Sequence, residues 1–102
     1  PIYIATLYKN DEQLLLIKND KFKFLKNLLI FPMKEITKSD SLLKSSKKLN
    51  IKMSNMNMSI SIDFSYIKNK PKNGMWIEKT KLENYMIPTF TKKIFASVKH
   101  NL

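Results

Sequence analysis

The chain has 102 residues, enough for one domain with a modest core. It contains no cysteine, a single glycine and a single histidine. Disulfides, thiol chemistry and a glycine-rich phosphate loop are therefore excluded, and a histidine-based metal site lacks ligands. No segment approaches the ~20 consecutive apolar residues of a membrane span, and the N-terminus lacks the charged-then-apolar pattern of a secretory signal. The formal charge is +11, carried wholly by lysine. Lysine-rich composition partly reflects AT-rich codon usage, yet acids number only eight, so a genuine excess remains. Such a field attracts nucleic acid first, with a solvated surface and then an anionic membrane as the other readings. The lack of arginine argues against bidentate reading of guanine.

Ile2 to Tyr8 is apolar on both alternations and predicts a strand covered on both faces. Asn10-Asp11 signals a turn, and Gln13 to Ile17 predicts the second strand of a hairpin. The lysine-rich stretch from Lys18 to Lys26 embeds Phe22, Phe24 and Leu25, and Leu28 to Phe31 ends at Pro32. Met33 to Ile36 predicts a short strand. Thr37 to Asp40 supplies helix-start residues, and Leu42, Leu43 and Leu49 predict a helix running through Lys48.

From Met56 the pattern switches to period two. Met56, Met58, Ile60, Ile62 and Phe64 are expected in the core, with Asn57, Ser59, Ser61, Asp63 and Ser65 toward water. Asn69 to Gly74 predicts a turn, Met75 to Glu78 a strand with Trp76 in the core, and Lys81 to Asn84 a helical turn. Pro88 opens a last helix with Phe90, Ile94 and Val98 at helical spacing. Strands mixed with two or three helices predict an α+β fold (an α/β sandwich) in a single domain, 1–102. Catalytic chemistry is not legible. His100 lies two residues from the end and suits a helix terminus; Glu35, Asp40, Asp63, Glu78 and Glu83 stand singly, as solubilising acids do.

Two segments resemble one family. Phe24-Leu25-Lys26-Asn27-Leu28-Leu29-Ile30-Phe31-Pro32 is similar to Leu-Leu-Ala-Gly-Leu-Trp-Glu-Phe-Pro. Met75-Trp76-Ile77, Leu82, Tyr85-Met86-Ile87-Pro88-Thr89 and Lys92-Lys93-Ile94 resemble Arg-Trp-Val, a spaced Leu, Ala-Leu-Pro-Thr-Pro and a basic pair opening a helix. Both belong to the C-terminal domain of A/G-specific adenine DNA glycosylases, the MutY family. Between them the family has a loop and strand, Phe-Ser-His-Phe-x-Leu-x-Leu-x-Val. Phe64-Ser65-Tyr66 matches its first letters, but Met53 to Ile62 matches its rhythm and is the preferred placement.

The resemblance implies a Nudix-like mixed sheet flanked by helices, and a loop that reaches 8-oxoguanine in an 8-oxoguanine:adenine mismatch of double-stranded DNA. Ser54 takes the place of the loop's serine, Met53 that of its aromatic wedge and Asn55 that of its histidine, with Lys52 beside them. The implied parent removes adenine in base excision repair; its catalytic acids and 4Fe-4S cluster would lie in an N-terminal region outside this sequence. This segment would need no cofactor and touch no membrane, and the implied location is the bacterial cytoplasm, on the nucleoid. The alternatives are a degenerate Nudix nucleotide hydrolase and a basic Nudix-like interaction module. Nudix hydrolysis needs a glutamate-rich helix for magnesium, whereas Asp40 to Leu49 holds one acid and three lysines.

Overall fold

In a computed structural model, which describes residues 1–39 and 47–102, the chain opens with β1 (Ile2–Asn10) and β2 (Gln13–Lys18). They are joined by a two-residue turn in which Asp11 takes a left-handed φ of 51°, a conformation that aspartate tolerates. The two strands pair only at Lys9 with Leu14 and Asn10 with Gln13, and then diverge. Each recruits different neighbours. Along one edge β1 pairs in parallel with β6 (Met56–Tyr66), from Ile2 with Ser59 to Lys9 with Tyr66. Its other edge takes β4 (Met33–Glu35) at Tyr3 to Ala5. β2 pairs with β7 (Gly74–Glu78) from Gln13 to Ile17, and with β3 (Leu29–Ile30) at its far end. β5 (Lys47–Met53) closes the order on the outer side of β6.

Residues 29–35 bridge the divergence, since β3 lies on β2 and β4 on β1. At the crossing Phe31 is fully buried, and the Pro32 carbonyl accepts from the Thr6 N–H at 2.9 Å. Proline suits this position because no ladder donor is required of it. Gly74 starts β7 where a Cβ would lie 3.0 Å from Leu15 Cδ1 and 3.1 Å from Pro71 Cγ.

The core joins Tyr3, Ala5 and Leu7 of β1, Leu14 and Leu16 of β2, and Met58, Ile60 and Ile62 of β6. The C-terminal helix α1 (Thr89–Val98) closes it with Phe90, Ile94, Phe95 and Val98. α1 packs on β5 and β3, and the buried Thr91 hydroxyl donates to the Leu29 carbonyl at 2.7 Å. Burial, with Glu35 adding to it, raises the Tyr3 phenol above its ordinary pKa.

The segment between β2 and β3 is organised by Asn19, which is buried. Its amide donates to the carbonyls of Phe24 (2.6 Å) and Leu25 (3.0 Å), and its oxygen accepts from the N–H groups of Phe22 (2.9 Å) and Lys21 (3.2 Å). Its backbone exchanges bonds with Leu28 and Asn27. The loop so held presents two stacked rings, Phe22 and Phe24, edge-on to Tyr3, and Phe24 also meets Phe90 of α1 at 6.0 Å.

Several expectations need correction. Residues 40–46 of the expected helix lie outside the described residues, but Lys47, Lys48 and Leu49 are strand, not helix. There Leu49, Ile51 and Met53 alternate with Lys48, Asn50 and Lys52, a period-two pattern that the antiparallel ladder to β6 selects. Besides α1, the described residues hold helical backbone at Lys38-Ser39, where the sequence placed a helix start, and two short 3-10 turns, at Lys79–Lys81 and Lys99–Asn101. Phe64, expected in the core, is 39% exposed near the end of β6. Met56 is half-buried at the other end of β6, and Ser61 is buried although expected toward water. Trp76 is half-buried, since β7 has β2 on one side only.

Two outcomes are expected of substitutions here. Ile60→Asp should abolish the cooperative thermal transition, because an unpaired buried carboxylate costs several kcal/mol against a total stability of roughly 5–15 kcal/mol. Asn19→Ala should destabilise by about 2–4 kcal/mol, since it strands several loop carbonyls and N–H groups at roughly 1–3 kcal/mol for each one left buried. Chemical denaturation of parent and variant measures the difference, and an unchanged midpoint would refute the organising role.

Candidate nucleic-acid interface

β5 and β6 form a hairpin whose last pair is Met53 with Met56, so Ser54-Asn55 is a two-residue turn. Ser54 takes a left-handed φ of 52°. The parallel pairing with β1 starts only at Ser59, so the hairpin end runs on past the start of β1. Met53 is half-buried against the core, while Lys52, Ser54 and Asn55 are exposed. The four expected site residues thus stand together at one tip. The alternative placement is different in kind: Phe64, Ser65 and Tyr66 continue a strand, paired with Leu7, Tyr8 and Lys9.

Beside the tip lies a cleft of about 390 Å³, lined by Ile51, Lys52 and Met53 of β5, Leu25 and Leu28 of the Asn19 loop, and Pro88, Thr89, Phe90 and Lys93 at the start of α1. Its size falls in the range of small-ligand sites, which is about 300–1,000 Å³. Leu25 is held at a φ of 51°, a strained conformation for a bulky residue. The strain is offset by the Asn19 bond to its carbonyl and by the Leu28 N–H, which donates to the same oxygen at 3.1 Å. Leu28 is 45% exposed at the rim. Lys52 and Lys93 flank the apolar walls, and no carboxylate lines them.

Elsewhere Lys79 pairs with Glu12 and Lys99 with Glu83, whereas Lys52 and Lys93 have no ion-pair partner among the described residues. The cleft is therefore apolar between two uncompensated cations. An anionic ligand with a flat apolar body suits it. Among the described residues no three His, Cys, Asp or Glu groups could hold a metal, and no helix is long and apolar enough to cross a membrane. His100 is exposed in the final 3-10 turn.

Leu25, Leu28, Thr89 and Lys93 were not singled out as site residues by the sequence. Both segments that contain them carry the family resemblance, yet nothing in linear order says that they meet. The one local signal is the -Pro88-Thr89- step before a basic pair at a helix start.

No protein-family model and no curated protein sequence matches the chain. Solved structures do. The C-terminal domain of mouse MUTYH, in complex with human PCNA, superposes with a TM-score of 0.64 at 13% identity, over 98% of this chain and 88% of that one. The Nudix domain of Shewanella oneidensis NrtR, complexed with ADP ribose, gives 0.68 at 5% identity, over 98% and 86%. The chain thus has a Nudix-like fold, a seven-stranded mixed sheet with a C-terminal helix, and shares that fold with the C-terminal domain of mouse MUTYH.

Proposed function

We propose that this domain recognises the lesion strand for an A/G-specific adenine DNA glycosylase, binding duplex DNA at an 8-oxoguanine:adenine mismatch. One observation carries the reading. The two segments that resemble the MutY C-terminal domain, far apart in sequence, converge on one cleft: Leu25 and Leu28 come from the first, Pro88, Thr89 and Lys93 from the second. The third matched element, Met53-Ser54-Asn55, borders that cleft at a projecting hairpin tip. The shared fold with the MUTYH domain supports the same reading.

In this account lysines neutralise phosphates and position the duplex, while the tip meets the base. Chemistry would belong to the parent, which flips adenine out of the helix and cuts its N-glycosidic bond with acids of its N-terminal region, where the family's 4Fe-4S cluster would also lie. The setting is the cytoplasm, on chromosomal DNA. A nucleotide-binding reading draws on one fact, the ADP ribose bound by the NrtR domain. Hydrolysis is disfavoured by the lysines between Asp40 and Leu49, two of which begin β5. Incubated with magnesium and ADP ribose, the chain should release no product above a buffer control; turnover that follows the protein through purification would favour the hydrolase.

The lesion reading is tested at Ser54. Its hydroxyl can donate and accept, and a neutral hydrogen bond contributes about 0.5–1.5 kcal/mol, roughly a two- to twelvefold change in affinity. In the parent enzyme Ser54→Ala should lower the preference for adenine opposite 8-oxoguanine over adenine opposite guanine by a few-fold. The melting temperature should hardly move, since Ser54 is exposed. Asn55→Ala should act likewise, and Ser65→Ala should leave the preference intact. Loss of preference in Ser65→Ala alone would assign the loop to Phe64-Ser65-Tyr66 instead.

A further inference from the structure

The face of the β5–β6 hairpin turned away from the core carries a run of polar side chains that continues from the projecting end to the buried Ser61. Lys48, Asn50 and Lys52 alternate out of β5 and stand opposite Ser61, Ser59 and Asn57 of β6. Ser59 in turn lies beside Ile2 of β1. Ile2, Asn50, Lys52, Asn57 and Ser59 line a shallow groove of about 550 Å³ on this face. Lys48, Asn50, Lys52 and Asn57 are exposed, and neither lysine has an ion-pair partner among the described residues. Asp63 is the acid of this face of β6, four residues beyond Ser59 and beside Thr6 of β1. It stands away from the groove.

Side chains two residues apart on a strand are separated by about 6–7 Å, so Lys48 and Lys52 stand roughly 13 Å apart with an amide between them. Spaced ammonium groups with interleaved amide and hydroxyl donors are the set that protein surfaces offer to phosphate oxygens. The cleft across the hairpin has walls of leucine, methionine and proline; this groove sets Asn50, Lys52, Asn57 and Ser59 among Pro1, Ile2, Ile51 and Met58, and its polar members suit a chain of charges.

We propose that the groove holds a run of phosphodiester backbone that continues along β5, with Lys52 in the groove and Lys48, beyond Asn50 on the same strand face, each neutralising a phosphate, and Asn50, Asn57 and Ser59 donating to phosphate oxygens. The inference rests on the DNA-binding reading above and deepens it. The outward face grips the strand while the Ser54-Asn55 tip, continuous with it, is presented to the bases. A rival account makes the same lysines guards of an edge strand, because β5 ends the sheet and charged side chains deter strand pairing between molecules.

Binding of the 102-residue chain to a fluorescent duplex, titrated over a series of salt concentrations, separates these accounts. Each phosphate contact contributes about 0.9 to the logarithmic salt slope. Lys48→Gln/Lys52→Gln should therefore lower the slope by about two, whereas Lys70→Gln/Lys72→Gln, in the turn at the far end of β6, should leave it unchanged. Asn57→Asp, which places a negative charge in the groove, should weaken binding several-fold and serves as the readout if the double variant melts early. A parent that binds with a steep slope, together with groove variants that match it, overturns the groove and spares the DNA reading. The same match accompanied by self-association in sedimentation assigns the lysines to edge protection and likewise overturns the proposal. A parent whose binding ignores salt, or that does not bind, removes both.

Discussion

The buried amide of Asn19 is the constraint on which the rest of this molecule depends. The chain has one glycine, placed at the start of β7, so the loop between β2 and β3 turns with Leu25 and Asn27 in left-handed conformations. Such conformations persist only where surrounding bonds over-determine them. Asn19 supplies those bonds from the inside of the loop, as donor and acceptor together. Once the loop is fixed, Phe22 and Phe24 reach Tyr3 on one side and Phe90 on the other. The start of α1 is thereby seated, and Thr91 locks it to β3. The cleft is the space left between these parts.

The second organising feature is the divergence of β1 from β2. A hairpin that stayed paired would give one flat sheet with a single edge for each strand. Parting after two pairs lets β1 take β4 and β6 while β2 takes β3 and β7. The Phe31-Pro32 crossing fills the gap with a buried ring and a carbonyl-only residue. The strands gathered around this divergence and α1 thus share one core.

Much of this was legible in the sequence. Ile2 to Tyr8, Gln13 to Ile17 and Met56 to Phe64 carry strand periodicity that neighbouring residues do not contradict, and Phe90, Ile94 and Val98 follow a proline at helical spacing. β5 was not legible, because Leu49 reads as the end of a helical stripe and the strand's own alternation spans only Leu49, Ile51 and Met53. Phe64 and Trp76 were misjudged for a related reason. Periodicity reports which face of a strand a residue occupies, but not how far the covering element extends. The tip at Ser54 was readable because the alternation starts sharply at Met56. The cleft was not, since it is made by tertiary convergence of Leu25, Met53 and Thr89.

The parallel pairing of β1 with β6 bears on how the molecule comes into being. Ile2 finds its partner at Ser59 and Lys9 at Tyr66, so β1 cannot complete this edge until β6 has followed it in the chain. Closing so long a loop costs entropy before any contact repays it, which slows folding relative to a hairpin-only topology. During that interval Ile2 to Leu7 is an apolar strand with a bare edge, the kind of segment that pairs with other nascent chains. The net positive charge of the chain keeps such intermediates mutually repelling. In this chain the surplus of positive charge therefore serves the unfinished molecule as well as the finished one.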